Sequence, residues 1–166
     1  MSTDESQGAS QYRTWGRNRA LRYKGHDYAA PTPCFITFCT AKKQPLLRGT
    51  LADALQSHII SIGRRWRFRL WAWCIMPDHV HVVTAPHGNE RSLSDFVGAV
   101  KSLATKTARE MGLREKLWQS GFHDRILRPS ERPEELAAYI VANPVRKGLI
   151  REGEKWRWAY LDPEAI

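Results

Sequence analysis

From position 34 onward the apolar residues switch repeatedly between every-second and every-third-or-fourth spacing, and the order of the switches leaves few folds open. Cys34-Phe35-Ile36-Thr37-Phe38-Cys39-Thr40 is β-branched and aromatic, bounded by Pro33 and a Lys-Lys-Gln-Pro break, and reads as a strand. Residues 51–66 place Leu51, Leu55, Ile59 and Ile62 at helical spacing, with Thr50 as a candidate cap. Residues 68–76 form a second strand, Pro77-Asp78 a turn, and residues 80–85 a third strand. Trp71 and Trp73 alternate on the second strand, so they are expected on one side of it, in the core. A helix follows from Leu93. Ser92 and Asp95 resemble a capping box, Phe96, Val97, Val100, Leu103 and Ala104 form the buried stripe, and Gly112 marks the end. Residues 118–127 read as a fourth strand. Pro133 then opens a helix over 134–142, closed by Asn143-Pro144. Strand, helix, strand, strand, helix, strand, helix is the order of an α+β, ferredoxin-like split βαβ sandwich: an antiparallel sheet with helices on one face, followed by a C-terminal helix.

The division is then residues 31–166 as one domain and residues 1–30 as a flexible basic arm. No run approaches the roughly 18 apolar residues of a membrane span, and residues 1–10 lack the apolar stretch of a signal peptide. A cytoplasmic protein without membrane contact is expected. Cys34, Cys39 and Cys74 have no zinc-type spacing and read as reduced, packed thiols.

Charge narrows the partners. Twenty-six Lys and Arg face seventeen Asp and Glu, a formal net charge of +9. Such an excess favours a polyanion, because each cation placed on a phosphate releases a counterion. It would also suit a ribosome-associated or membrane-surface protein. Residues 12–24 interleave Arg13, Arg17, Arg19, Arg22 and Lys24 with Tyr12, Trp15 and Tyr23, and contain no acid. Cations can track phosphates while rings stack on bases, although a solvated basic tail has the same composition.

Met76-Pro77-Asp78-His79-Val80-His81-Val82-Val83 carries the chemistry. Alternation on a strand puts His79 and His81 on one face, about 7 Å apart along the chain, where two neutral imidazoles can converge on one cation. Two donors alone do not make a metal site, and imidazole suits zinc as readily as magnesium. Tyr139 and Asn143, at i and i+4, share one helix face. If that face packs over the histidine strand, Asn143 supplies a third ligand and Tyr139 stands beside the ion. A phenol is a poor nucleophile at neutral pH, and a cation on the target phosphate offsets that deficit.

The histidine strand resembles the HUH strand (histidine, hydrophobic, histidine) of single-tyrosine transposases. Tyr139-Ile140-Val141-Ala142-Asn143-Pro144-Val145-Arg146-Lys147-Gly148-Leu149 resembles the nucleophile helix of the REP-associated tyrosine transposases, and Trp118-Gln119-Ser120-Gly121-Phe122-His123-Asp124-Arg125 their last-strand signature. The similarity spans residues 33–158. It implies a ferredoxin-like catalytic domain in which His79, His81 and Asn143 bind Mg²⁺ or Mn²⁺. It also implies that Tyr139 attacks a single-stranded DNA phosphate beside a hairpin, leaving a 5′-phosphotyrosine and a free 3′-OH. Related insertion-sequence transposases carry glutamine where this chain has Asn143, one methylene shorter. The resemblance allows a homodimer that exchanges the tyrosine helix, or a monomer, and a nucleoid-associated protein of a prokaryotic cytoplasm.

Candidate DNA contacts are Arg17, Arg19 and Arg22 of the arm, Lys101, Lys106 and Arg109 on the second helix, Arg125 and Arg128 on the last strand, and Arg146 and Lys147 after the nucleophile helix. Trp118, Trp156 and Trp158 are candidates for base stacking. His123 and Asp124 are a candidate pair that orients a ligand. Two other readings remain at this point. A rolling-circle-type HUH nickase shares the chemistry, but the chain has no room for the usual fused helicase or origin-binding domain. A non-catalytic, basic ferredoxin-like nucleic-acid-binding module would need no metal, and the strands lack the RNA-recognition consensus.

Overall fold

The computed structural model describes residues 31–88 and 91–165; the arm, with Arg17, Arg19 and Arg22, lies outside the described residues. Five strands, β1 (Cys34–Cys39), β2 (Phe68–Met76), β3 (His79–Pro86), β4 (His123–Ile126) and β5 (Ala159–Leu161), form one sheet in the order β4-β1-β3-β2-β5. Every neighbouring pair is antiparallel. Helix α1 (Gly49–Arg65) joins β1 to β2, and α2 (Leu93–Glu110) joins β3 to β4. The first four strands therefore have the expected split βαβ arrangement, and β5 extends it beside β2.

The two faces of the sheet are used differently. Ile36, Phe38, Trp73, Ile75, Val80 and Val82 point to one face, where Leu55 and Ile59 of α1 and Phe96, Val97 and Val100 of α2 cover them. The α2 stripe matches its sequence spacing, and Ser92 and Asp95 form the anticipated capping box, worth about 1 kcal/mol. His58 Nε2 meets Thr107 Oγ1 at 3.1 Å and ties the two helices together. Gly112, at φ 94°, ends α2 in a conformation that only glycine adopts freely.

On the opposite face α3 (Pro133–Val141) lies across β2, β3 and β5, seating Ala137 and Ile140 against Ala72 and Val83. This is the face to which alternation directs His79 and His81.

Several details depart from the spacing. Helix α1 begins at Gly49, with Arg48 at the N-cap making no side-chain bond, so Thr50 sits inside the first turn rather than capping it. Strand β4 is shorter than residues 118–127, because at Trp118 the ladder is reduced to an isolated bridge to Thr40, just past β1. Trp71 and Trp73 do not share a side. The register shifts between Leu70 and Ala72, which leaves Trp73 in the core under α1 and α2 and Trp71 among the residues under α3. Asn143-Pro144 bends the chain rather than stopping it, since Asn143–Arg146 forms a further turn, α4. The three cysteines are free thiols, Cys34 and Cys74 buried and Cys39 half-buried. No helix among the described residues is long and apolar enough to cross a membrane.

Candidate active site

At the start of β3 the two imidazoles converge. His79 Nε2 and His81 Nε2 lie 3.0 Å apart, and each ring is held from behind at Nδ1, His79 by Asp78 Oδ1 at 2.6 Å and His81 by Thr37 Oγ1 at 2.8 Å. Thr37 reaches His81 because the two are register partners across β1 and β3. The Phe35 ring stacks on His81 with centroids 5.2 Å apart and fixes its plane.

These contacts set the chemistry of the pair. An ionised carboxylate only accepts, so Asp78 fixes the proton of His79 on Nδ1 and leaves Nε2 as a bare donor. Burial, then the charge His79 carries when doubly protonated and the charges of Arg146 and Lys147, depress His81 from 6.5 to about 3, so it stays neutral. The Thr37 hydroxyl can donate or accept, and therefore supports either tautomer of His81. With His81 protonated on Nε2, the pair is joined by a hydrogen bond. With the proton on Nδ1, both Nε2 lone pairs point into one place.

The donor set fits a small divalent cation. Cis donors about 2.1 Å from an octahedral ion stand about 3.0 Å apart. Tetrahedral donors at the same range stand about 3.4 Å apart. The observed 3.0 Å is near the octahedral edge and is equally the length of a hydrogen bond between the two rings. Imidazoles whose second nitrogen is anchored to a carboxylate or hydroxyl are the usual outer arrangement of such ions.

Tyr139 and Asn143 arrive on this face through α3 and α4, but in unlike settings: Asn143 is 7% exposed and Tyr139 53%. The break at Ala142 turns Asn143 inward as the first residue of α4, while the Tyr139 ring stays accessible. Arg146 connects them. Its Nη2 donates to Asn143 Oδ1 at 2.9 Å, its Nη1 donates to the Tyr139 carbonyl at 2.8 Å, and its guanidinium lies 3.7 Å from the Tyr139 ring centroid. Arg146 lies within electrostatic reach of His81 and of Cys74, the β2 register partner of His81. Burial otherwise holds the Cys74 thiol up at about 12.

The remaining candidates divide. His123 is the register partner of Thr37 and shares the histidine face, but Asp124 pairs with Ile36 and leaves the sheet on the other side. Burial lowers the pKa of His123, and the charge of Asp124 opposes that shift, so the two remain in electrostatic contact. Arg125, opposite Phe35, is on the histidine face and forms an ion pair with Glu131. Lys147 and Arg128 are exposed. Lys106 and Arg109 line a shallow groove along α2, in the opposite layer.

Lys101 is not a free cation. Its Nζ donates to the Gln119 and Gly121 carbonyls at 2.7 and 2.8 Å, so it ties that loop to α2. Burial lowers its pKa to about 8. Trp118 is 5% exposed, and its indole N–H donates to the Lys101 carbonyl. Trp156 donates to the Ile75 carbonyl and Trp158 to Asp53, so both indole N–H groups serve the fold.

Two contributors escaped the sequence reading. Asp78 had a signal, a carboxylate next to a candidate ligand, but reads first as a turn residue. Thr37 had none, because only strand register brings it to His81.

Residues 34–143 match the family model described as Transposase IS200 like. The chain is 26% identical over 123 residues to a REP-associated tyrosine transposase of Escherichia coli strain K12, spanning 74% of this chain and 72% of that protein. A solved structure of a REP-associated tyrosine transposase bound to a REP hairpin is similar at TM-score 0.66 and 22% identity, over 90% of this chain and 81% of that one. A crystal structure from Deinococcus radiodurans R1, described as a transposase, gives TM-score 0.51 at 22% identity, over 74% of this chain and 97% of that one. Both structural likenesses bear on the fold.

Proposed function

Because this chain belongs to the IS200-like transposase family, we propose that it cleaves and rejoins single-stranded DNA beside a hairpin, with Tyr139 as the nucleophile. The observation that supports this reading is the convergence of His79 and His81 at 3.0 Å on the sheet face against which α3, the helix carrying Tyr139, packs. The hairpin partner follows the REP-associated relatives, one of them solved with a REP hairpin bound.

The residues divide the work. The exposed Tyr139 ring is reachable by a strand laid on this face. Its phenolic oxygen forms a bond to the target phosphorus, the phenolic proton is lost, and the bond to the 3′ oxygen breaks. That oxygen takes up a proton and leaves as a free 3′-OH, while the 5′ phosphate stays on Tyr139. Rejoining is the same exchange run backward with a second 3′-OH, so no net oxidation or hydrolysis occurs. Asp78 and Thr37 hold the histidine rings in place, and Asn143 offers a buried amide oxygen. Mg²⁺ or Mn²⁺ bound by His79, His81 and Asn143 would draw charge from the phosphate in the transition state. Lys147 and Arg146, both exposed, supply positive potential where phosphates would run. The docking of α3 on the sheet of its own chain supports a site assembled within one chain, against a homodimer that exchanges this helix.

A denaturing gel tests this. Labelled hairpin oligonucleotides with single-stranded flanks, drawn from repeats around the gene, are incubated with the protein and Mn²⁺ or EDTA. A denaturant-resistant adduct that forms with Mn²⁺ and is absent with EDTA is expected. No adduct on any flanking repeat, with tight binding indifferent to EDTA, would replace this reading by a non-catalytic nucleic-acid-binding module.

A further inference from the structure

We infer that Arg146 is a clasp on the resting site, a positioning residue that holds Tyr139 and Asn143 together and yields the Asn143 oxygen when cation and DNA phosphate arrive together. The inference rests on the reading of His79, His81 and Asn143 as the metal-binding set.

One planar guanidinium makes three contacts, donating to the Tyr139 carbonyl and to Asn143 Oδ1 and lying 3.7 Å from the Tyr139 ring centroid. The first contact is a helix C-cap. It satisfies a carbonyl of the last turn of α3, where a cation is favoured. The other two involve the functional groups themselves. A cap would need neither the ring nor the amide oxygen.

All the partners of Arg146 are neutral. Among the described residues no carboxylate pairs with it. The exposed guanidinium thus keeps an uncompensated charge within electrostatic reach of His81. Arginine holds phosphates through two parallel hydrogen bonds, and its donors here are spent on weaker neutral acceptors that a phosphate can displace.

Competition at one atom gives the clasp its consequence. A divalent cation on Asn143 Oδ1 would stand about 5–6 Å from a guanidinium bonded to the same oxygen, and the two would repel. Screened as in water, that repulsion amounts to about a tenfold loss of cation affinity. A phosphate on this face takes the guanidinium and places a negative charge between it and the cation, which offsets their repulsion, so cation and DNA should bind cooperatively, each raising the affinity of the other by the same factor.

The test measures Mn²⁺ affinity of the full-length protein by calorimetry, without DNA. Arg146→Gln should bind Mn²⁺ about tenfold more tightly than wild type. Arg146→Lys, which keeps the charge, should stay near wild type, and His81→Ala should lose binding. Equal or weaker affinity in a folded Arg146→Gln protein, with binding still dependent on His81, would reduce Arg146 to a helix cap. Binding indifferent to His81→Ala would instead remove the metal reading and the clasp with it. A measurement that needs no change at Arg146 uses Tyr139→Phe protein, which keeps the stacked ring but cannot be cleaved onto DNA. Adding a hairpin oligonucleotide should raise its Mn²⁺ affinity at least tenfold, and an unchanged affinity would overturn the clasp.

Discussion

His79 and His81 meet Nε2 to Nε2 at 3.0 Å, each ring pinned from behind by a different segment, His79 by Asp78 in the turn before β3 and His81 by Thr37 of β1. The turn and the sheet register thereby fix both rings in one geometry.

Loosening either pin should weaken the site without unfolding it. Asp78→Asn and Thr37→Val are each expected to lower Mn²⁺ affinity about 10- to 100-fold. The melting temperature should move little, since the Asp78 side chain is 32% exposed and Thr37 is half-buried. Calorimetric titration beside a thermal melt separates the two effects. Unchanged affinity in both variants would mean that the rings are not oriented for a cation.

Acid should destabilise the metal-free fold through the same histidine. His81 is held neutral down to about 3, and burial also lowers His58 below its ordinary 6.5. Between those limits the unfolded chain binds protons that the folded chain refuses, so stability is complete above about pH 6.5 and falls as the pH drops toward 3. Urea midpoints taken at pH 7.5, 5.5 and 4.5 should decrease in that order, and His81→Gln should flatten the decline. A midpoint independent of pH in the wild type would contradict the burial of His81.

The cations should separate by role. Lys101→Met is expected to lower the melting temperature, because the Gln119 and Gly121 carbonyls lose their donor, while the salt dependence of DNA binding stays the same. Lys147→Ala should leave the melt unchanged and reduce the slope of log affinity against log salt by about one. Binding isotherms at several salt concentrations read both. A reduced slope for Lys101→Met would make that lysine a phosphate contact after all.

What the sequence disclosed follows from the range of the forces involved. Local periodicity and capping are short-range, so α2, its Ser92–Asp95 box and the split βαβ order were legible, as was the shared face of His79 and His81. Tyr139 and Asn143 were legible as a spacing, but their unequal burial depends on the break at Ala142 before α4. The bulge near Trp71 inverted one expected face, and a three-residue β5 is too short to carry a pattern. Thr37 at His81 and Lys101 at the Gln119–Gly121 loop are tertiary contacts that no single-sequence spacing encodes, whereas Arg146 meets Tyr139 and Asn143 at i+7 and i+3, a helical spacing.

The nucleophile itself is open to direct measurement. Protein incubated with a hairpin oligonucleotide and Mn²⁺ is digested with protease and nuclease, and the peptide carrying a residual 5′-linked nucleotide is sequenced by mass spectrometry. The modification is expected on Tyr139 and should vanish in Tyr139→Phe. A nucleotide on another residue, or an adduct that survives Tyr139→Phe, would contradict the assignment of Tyr139 as the attacking group.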